Sequence, residues 1–294
     1  MDYDVVIIGG GPAGLTAGIY CVRRGLKALV VERGSLGGKV LMASEIENWP
    51  GDRHVTGEEL SKRMSDHAKG LGVEFVYNEA IMLGLAGDVK NVTLRDRELS
   101  CKAVILATGG QTVKASVKGE EEFSGRGVSY CATCDGPLFK GKAVAVVGGG
   151  NMAVEDAVYI DDLSSKTYLV ADEIKAEESL QERLKKSGVE VLEDSLSEIV
   201  GSEFVEGVRL KSGKDLEVNG VFICQGSTPS TELAKQSGVE LDERSFIGVN
   251  RDMETNIPGV YAAGDVTGGV PQIATAVGEG ATAALRAYVH VKQG

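Results

Sequence analysis

Several residue types are scarce in this sequence. There are six prolines, one tryptophan and three histidines in 294 residues. So little proline leaves no room for an extended proline-rich segment. The histidines, at 54, 67 and 290, stand far apart and offer no paired imidazoles for a metal. Basic residues are also short: 31 Lys and Arg face 43 Asp and Glu, a net charge of −12. That balance argues against a nucleic-acid partner, because phosphate binding needs a basic surplus. A small basic patch for a protein partner is not excluded. No apolar run reaches the roughly 18 residues that cross a bilayer as a helix. The start, Met1-Asp2-Tyr3-Asp4, has no basic leader and no signal-like apolar stretch, so the expected location is cytoplasmic.

Cysteine is sparse and uneven. The five lie at 21, 101, 131, 134 and 224, an odd number at wide spacing, unlike a secreted disulfide framework. Only Cys131 and Cys134 are close. In a reducing compartment such a pair is redox-active or metal-binding more often than structural. Glycine, by contrast, is abundant. Forty glycines are about twice the usual share, and they cluster in GG and GGG runs after apolar stretches, like site loops.

The length allows two domains. Val5-Val6-Ile7-Ile8 reads as a buried parallel strand. Gly9 to Gly14 follows, then a helical stretch from Leu15 to about Arg24, then a strand Ala28–Val31 ending at Glu32. The pattern recurs: strand Ala143–Val147, turn Gly148-Gly149-Gly150, helix Asn151 to about Leu163, strand Thr167–Val170. Three further strands, 104–106, 221–223 and 260–262, each run into a glycine turn, and a last helix is expected from near Gln272 to about Val289. The predicted class is α/β: two Rossmann-like, doubly wound, three-layer domains. Hinges near Gln111–Ala115 and Gly226–Pro229 make the second an insertion in the first. The expected boundaries are 1–112 with 230–294, and 113–229.

Gly9, Gly11 and Gly14 have the G-x-G-x-x-G spacing between a strand and a helix. Glycine lets the backbone turn tightly and approach a pyrophosphate, which then faces the helix N-terminus. Glu32 ends the next strand, where an acid can hold ribose hydroxyls. Gly148, Gly150 and Ala153 form the G-x-G-x-x-A variant. The residues after its second strand, Val170 to Glu178, hold four acids around one lysine. An NADP site usually has Arg or Lys there for the 2′-phosphate. The acidic edge therefore disfavours NADPH. NADH, with Asp172 on a ribose diol, and no nicotinamide at all both stay open.

Cys131-Ala132-Thr133-Cys134 lies just before the second Rossmann strand. Cysteines at i and i+3 on a helical turn can form a small, reducible disulfide ring, and a helix N-terminus makes the thiol a better nucleophile. A zinc site would need four ligands, and only Cys101 and Cys224, both in apparent strands, could add to the pair. No metal is therefore expected. Asp135 follows directly: it reads either as a proton shuttle or as half of an Asp-Gly turn dipeptide. Cys21, Cys101 and Cys224 read as small core residues.

These motifs together resemble the low-molecular-weight thioredoxin reductase family. The matching segments are GGGPAGLTAGIY at 9–20, EIENWPG at 45–51, ATGG at 107–110, CATCDG at 131–136, GGGNMAVEDA at 148–157 and PGVYAAGDVTGG at 258–269. The resemblance implies a tightly bound FAD in the first domain, usually a homodimer, and a thioredoxin-like partner. It places FAD against Gly9, Gly11, Pro12, Ala13, Gly14 and Glu32, then Gly38, Lys39 and Asn48. Thr108, Gly109, Gly264, Asp265, Gln272 and Ile273 complete the implied set, with Asp265 on the ribityl chain and the helix from Gln272 aimed at the isoalloxazine. It makes Cys134 the flavin-facing thiol, Cys131 the thiol that attacks the partner disulfide, and Asp135 the acid and base. It also implies a domain rotation that carries the pair from flavin to partner.

The departures matter. The family's basic HRRxxxR segment, which grips NADPH, is replaced by the acidic stretch from Ala171. Lys39 stands where Gln is usual, and Pro271 where many members have Arg. That combination resembles reductases fed by reduced ferredoxin or a reduced deazaflavin. Three other readings remain. One is an ordinary NADPH-dependent thioredoxin reductase. Another is a flavin-dependent oxidase of small dithiols, which tends to carry His where Asp135 stands. The last is a flavoprotein redox sensor.

Overall fold

The computed structural model describes residues 1–43 and 45–293. Val5–Ile8 is buried along its whole length. It pairs in parallel with Ala28–Glu32 on one side and Ala103–Leu106 on the other. Glu74–Tyr77 and Val260–Ala262 form the edges of this five-stranded sheet. The chain thus leaves its first strand at the point where strand order reverses, which is where open α/β sheets form a ligand crevice.

The two faces of the sheet explain why its strands read as unbroken apolar runs. Val5, Ile7, Val30 and Ile105 enter one core, with Leu15, Ala17 and Ala284 of the covering helices. Val6, Ile8, Val31 and Leu106 enter a second core, with Leu83, Val92 and Leu99. Those last residues belong to an antiparallel sheet of three short strands, Ala80–Gly84, Lys90–Leu94 and Glu98–Cys101. Both faces are covered, so alternation vanishes. Each Val or Ile so buried contributes about 1.5–3 kcal/mol.

The helix Pro12–Arg23 begins three residues before the expected Leu15 because Pro12 fits its first turn, where φ is preset and no N–H is needed. It ends at Arg23, and Gly25, with φ +75°, takes the left-handed position after the Arg24 cap. The closing helix, Ile273–Gln293, packs on it at close range. A Cβ on Gly280 would lie 2.2 Å from the Ala13 carbonyl oxygen.

The second Rossmann unit repeats the plan. Its sheet runs Glu190–Glu193, Lys166–Ala171, Ala143–Val147, Gly220–Ile223 and Val128–Ser129, all parallel. Val144, Val146 and Phe222 pack on Val154 and Ile160 of the helix Asn151–Asp161. Ala145, Val147 and Ile223 pack on Ile199 and Val208 of another antiparallel sheet, 196–217. Neither antiparallel sheet is foreshadowed by the motifs. The chain enters this unit through Gly110–Thr112 and leaves through Ser227–Pro229, two strands that pair with each other.

Contacts divide the chain into 1–43, 49–111 and 229–294 on one side, and 44–48 with 112–228 on the other. Residues 45–48 thus fall with the second unit, where the Glu45 charge acts on Asp135. The motifs placed them in the first. Among the described residues no helix is long and apolar enough to cross a membrane.

Candidate active site: a redox disulfide and two glycine turns

The first glycine turn is built by close backbone approach. Gly9 has φ +108°, and a Cβ there would lie 2.2 Å from the Ala107 carbonyl oxygen. A Cβ on Gly14 would lie 1.9 Å from the Gly9 carbonyl oxygen. Gly11 differs: a Cβ there would meet nothing within 4 Å, and no side chain caps the helix that Gly11 opens. The turn is therefore tight on its protein side and open in front of a helix N-terminus, as a pyrophosphate requires. Glu32 organises the same turn. It accepts the Gly10 N–H at 2.6 Å on one carboxylate oxygen and the Gly34 N–H at 2.7 Å on the other. Each oxygen keeps a lone pair for a ribose hydroxyl. These residues fit a dinucleotide such as FAD.

Gly38, Lys39, Thr108, Gly109, Gly264, Asp265, Gln272 and Ile273 belong to this same unit. Lys39 Nζ pairs with Asp265 Oδ2 at 2.5 Å. The Thr108 hydroxyl donates to the Ser230 carbonyl at 2.7 Å. The turn at Gly264, φ +83°, is held by a residue that the motifs do not flag. Glu279 of the closing helix accepts the Gly264 N–H at 2.7 Å and the Thr267 hydroxyl at 3.2 Å. Burial pushes the Glu279 carboxyl above its ordinary range, and these two hydrogen bonds oppose the shift. Asn48 groups with the second unit.

The second turn has the same construction. Gly148 has φ +144°, and a Cβ on it would meet the Cys224 carbonyl oxygen at 2.3 Å. The segment after the strand Lys166–Ala171 closes on this turn. Lys175 N–H donates to the Gly149 carbonyl at 2.7 Å, and a Cβ on Gly149 would lie 2.0 Å from the Glu173 carbonyl oxygen. Asn151, first in the following helix, binds Glu177 through both its amide atoms. Asp172, Glu173, Glu177 and Glu178 are exposed here. Lys175, the basic residue among them, pairs with Glu173 at 3.2 Å, and Asp172 accepts the Ser195 hydroxyl.

Cys131 and Cys134 are joined in a disulfide, with their Cα atoms 5.3 Å apart. Cys131 is the N-cap of a single helical turn, Ala132–Asp135, which continues as the 3-10 turn Gly136–Phe139. The Asp135 N–H donates to the Cys131 carbonyl at 3.1 Å and closes that turn. Burial raises the Asp135 carboxyl above the usual range, the Ser129 hydroxyl opposes this, and the Glu45 charge adds to it. The other three thiols are buried and free. Burial pushes Cys21 and Cys101 up to about 12. Cys224 is pushed up by burial and by Asp156, to which its thiol donates at 3.1 Å. A thiol held protonated is a poor nucleophile, so ready thiol chemistry falls to Cys131 and Cys134. Among the described residues no three His, Cys, Asp or Glu side chains gather to hold a metal.

Comparison with known proteins gives a consistent picture. The family model described as pyridine nucleotide-disulphide oxidoreductase matches residues 3–280. A thioredoxin reductase of Listeria monocytogenes is 40% identical over 302 residues, covering 99% of this chain and 94% of the relative. The solved thioredoxin reductase of Streptococcus pyogenes is 37% identical with a TM-score of 0.95, covering 99% of both chains. A ferredoxin-flavin thioredoxin reductase of Clostridium acetobutylicum is 38% identical with a TM-score of 0.56, also covering 99% of both. The chain belongs to the pyridine nucleotide-disulphide oxidoreductase family, as a thioredoxin reductase-like, FAD-binding enzyme with a redox-active Cys131–Cys134 disulfide.

Proposed function

We propose that this enzyme reduces a thioredoxin and draws its electrons from a donor other than NADPH. The observation that carries the donor assignment is the acidic edge of the second glycine turn. A 2′-phosphate would meet Asp172, Glu173, Glu177 and Glu178, with Lys175 already paired to Glu173. Like charges at close range oppose binding, whereas NADP sites offer a guanidinium there. Reduced ferredoxin and a reduced deazaflavin are the preferred donors. The likeness to a protein described as a ferredoxin-flavin thioredoxin reductase supports the first. NADH is the remaining nicotinamide candidate, although the Ser195 hydroxyl already engages one Asp172 oxygen.

In this reading FAD, when bound, carries two electrons between the donor and the disulfide. Gly9, Gly11 and Gly14 would admit its pyrophosphate, Glu32 would take ribose hydroxyls, and Lys39 and Asp265 would help to hold the rest of it. Cys134 would be the thiol that exchanges electrons with the flavin. Cys131 attacks the partner disulfide. Asp135 supplies a proton to the thiolate that forms and recovers it afterwards.

The test is anaerobic bleaching of the flavin's visible absorbance. NADPH, NADH, reduced ferredoxin and reduced deazaflavin are offered in parallel at matched potential. Fast bleaching by ferredoxin or deazaflavin, with no response to NADPH, is expected and names the donor. Fast bleaching by NADPH would make this an ordinary NADPH-dependent enzyme and overturn the donor reading.

A further inference from the structure

The two carboxylate oxygens of Asp135 have different surroundings. Oδ2 accepts a hydrogen bond from the Ser129 hydroxyl at 2.6 Å. Oδ1 is buried and has no hydrogen-bond partner among the described residues. Ser129 is itself only 5% exposed. Its oxygen accepts the Cys131 N–H at 3.1 Å. A hydroxyl has one proton to give. The Cys131 carbonyl, at 3.4 Å, is a poorer acceptor for it than Asp135. A directed chain results, from the Cys131 N–H through the Ser129 O–H to Asp135 Oδ2.

Ser129 cannot easily turn away from this task. It ends a strand paired in parallel with Val221 and Phe222 at the sheet edge. The next residue, Tyr130, donates its hydroxyl to Glu120 at 3.0 Å. Glu120 is 1% exposed and also takes the Ala115 and Ser116 N–H groups. The chain just before the disulfide is thus anchored at two successive side chains.

We propose that Ser129 is a positioning residue for Asp135: its hydroxyl fixes Oδ2 as the accepting oxygen and leaves Oδ1 to carry and transfer the proton. This rests on the reading of Asp135 as proton donor and acceptor. A buried oxygen without a donor is costly as part of a charge and tolerable as an O–H. As a disulfide opens, one proton leaves Oδ1 and joins the thiolate sulfur. The carboxylate left behind keeps the Ser129 hydrogen bond at Oδ2. No electron passes through either residue. The charged group that acts on Asp135 is Glu45, which favours the protonated form.

The test uses the holoenzyme, reduced anaerobically with dithionite, desalted and mixed with oxidised thioredoxin. Flavin reoxidation is followed across pH, and the FAD content of each variant reports whether the fold is kept. In the native protein the rate falls as pH rises through the raised pKa of Asp135 and the group loses its proton. Ser129→Ala is expected to slow reoxidation about fivefold, the worth of one ordinary hydrogen bond. It should also move that fall to higher pH, because the lost bond favoured the carboxylate. Ser129→Thr, which keeps a hydroxyl, should restore both. In an Asp135→Asn background, Ser129→Ala should no longer move the profile. A slowed Ser129→Ala with the fall of the rate with pH unmoved overturns the inference. Asp135→Asn with native rate and profile overturns the reading of Asp135, and the inference with it.

Discussion

At the scale of single residues, burial sorts the five cysteines. Cys21, Cys101 and Cys224 sit in cores, where the loss of hydration holds them as thiols. Cys131 and Cys134 are partly exposed and bonded to each other. The different tasks proposed for them can be read optically. A thiolate beside an oxidised flavin donates charge to it and gives a long-wavelength absorbance band. Cys131→Ser leaves Cys134 as the remaining thiol of the pair; with Cys134 as the thiol proposed to exchange electrons with the flavin, this variant should show the band and Cys134→Ser should not. The reverse pattern in the visible spectra of the purified variants would exchange the two roles. Lys39 stands where the resembling family usually has Gln. Its ammonium lies against Asp265, and the pair is too exposed to add much stability.

Elements do what single residues cannot: they aim backbone groups. In each Rossmann unit a buried strand delivers a glycine turn to the N-terminus of a helix. The two turns share geometry but differ in what closes on them. Glu32 binds the first through two backbone N–H groups and leaves its front open. The acidic segment 172–178 lies over the second. On the proposed donor reading, charge in that segment, and not the turn, opposes NADPH. Replacing Asp172 and Glu173 together by Arg should therefore raise kcat/KM for NADPH-driven flavin reduction. A gain of about tenfold or more is expected, since one charge-assisted hydrogen bond is worth roughly 1.5–3 kcal/mol. Anaerobic stopped-flow measurement checks this. An unchanged value would shift the obstacle from the charge to the backbone of the loop.

On the scale of the whole molecule, the described hydrophobic cores do not cross between units. Two lie in the first unit and two in the second, with no residue in common. Each unit can bury its own apolar surface, which is the condition for independent unfolding. Calorimetry of the apoprotein should accordingly show two transitions. Adding FAD should raise one of them, by about 2.7 kcal/mol at a hundredfold excess over Kd, and leave the other in place. A single transition that moves as a whole would mean that the units unfold together. The net charge of −12 acts at this scale too, since it weighs against polyanionic partners at any docking site without a local basic patch.

Much of the fold was legible because its signals are local. A short apolar run, a glycine turn and a helix follow one another within about twenty residues, and each has its own physical cause. The cysteine pair was legible for the same reason: spacing alone brings i and i+3 together. The antiparallel sheets were not, because strands such as Ala80–Gly84 and Leu196–Gly201 are short and half-exposed, and acquire meaning only against the face that they cover. Ser129 and Glu279 were also hidden. Serine two residues before a cysteine carries no pattern, and Glu279 reaches Gly264 only because the closing helix returns past it. The sequence by itself determined the two nucleotide-type units, the redox pair and the acidic edge, since those depend on neighbours along the chain. Only the tertiary structure decided which oxygen of Asp135 is held, what steadies the Gly264 turn and what covers each sheet. Those depend on groups brought together from distant parts of the chain, and on the water that packing removes.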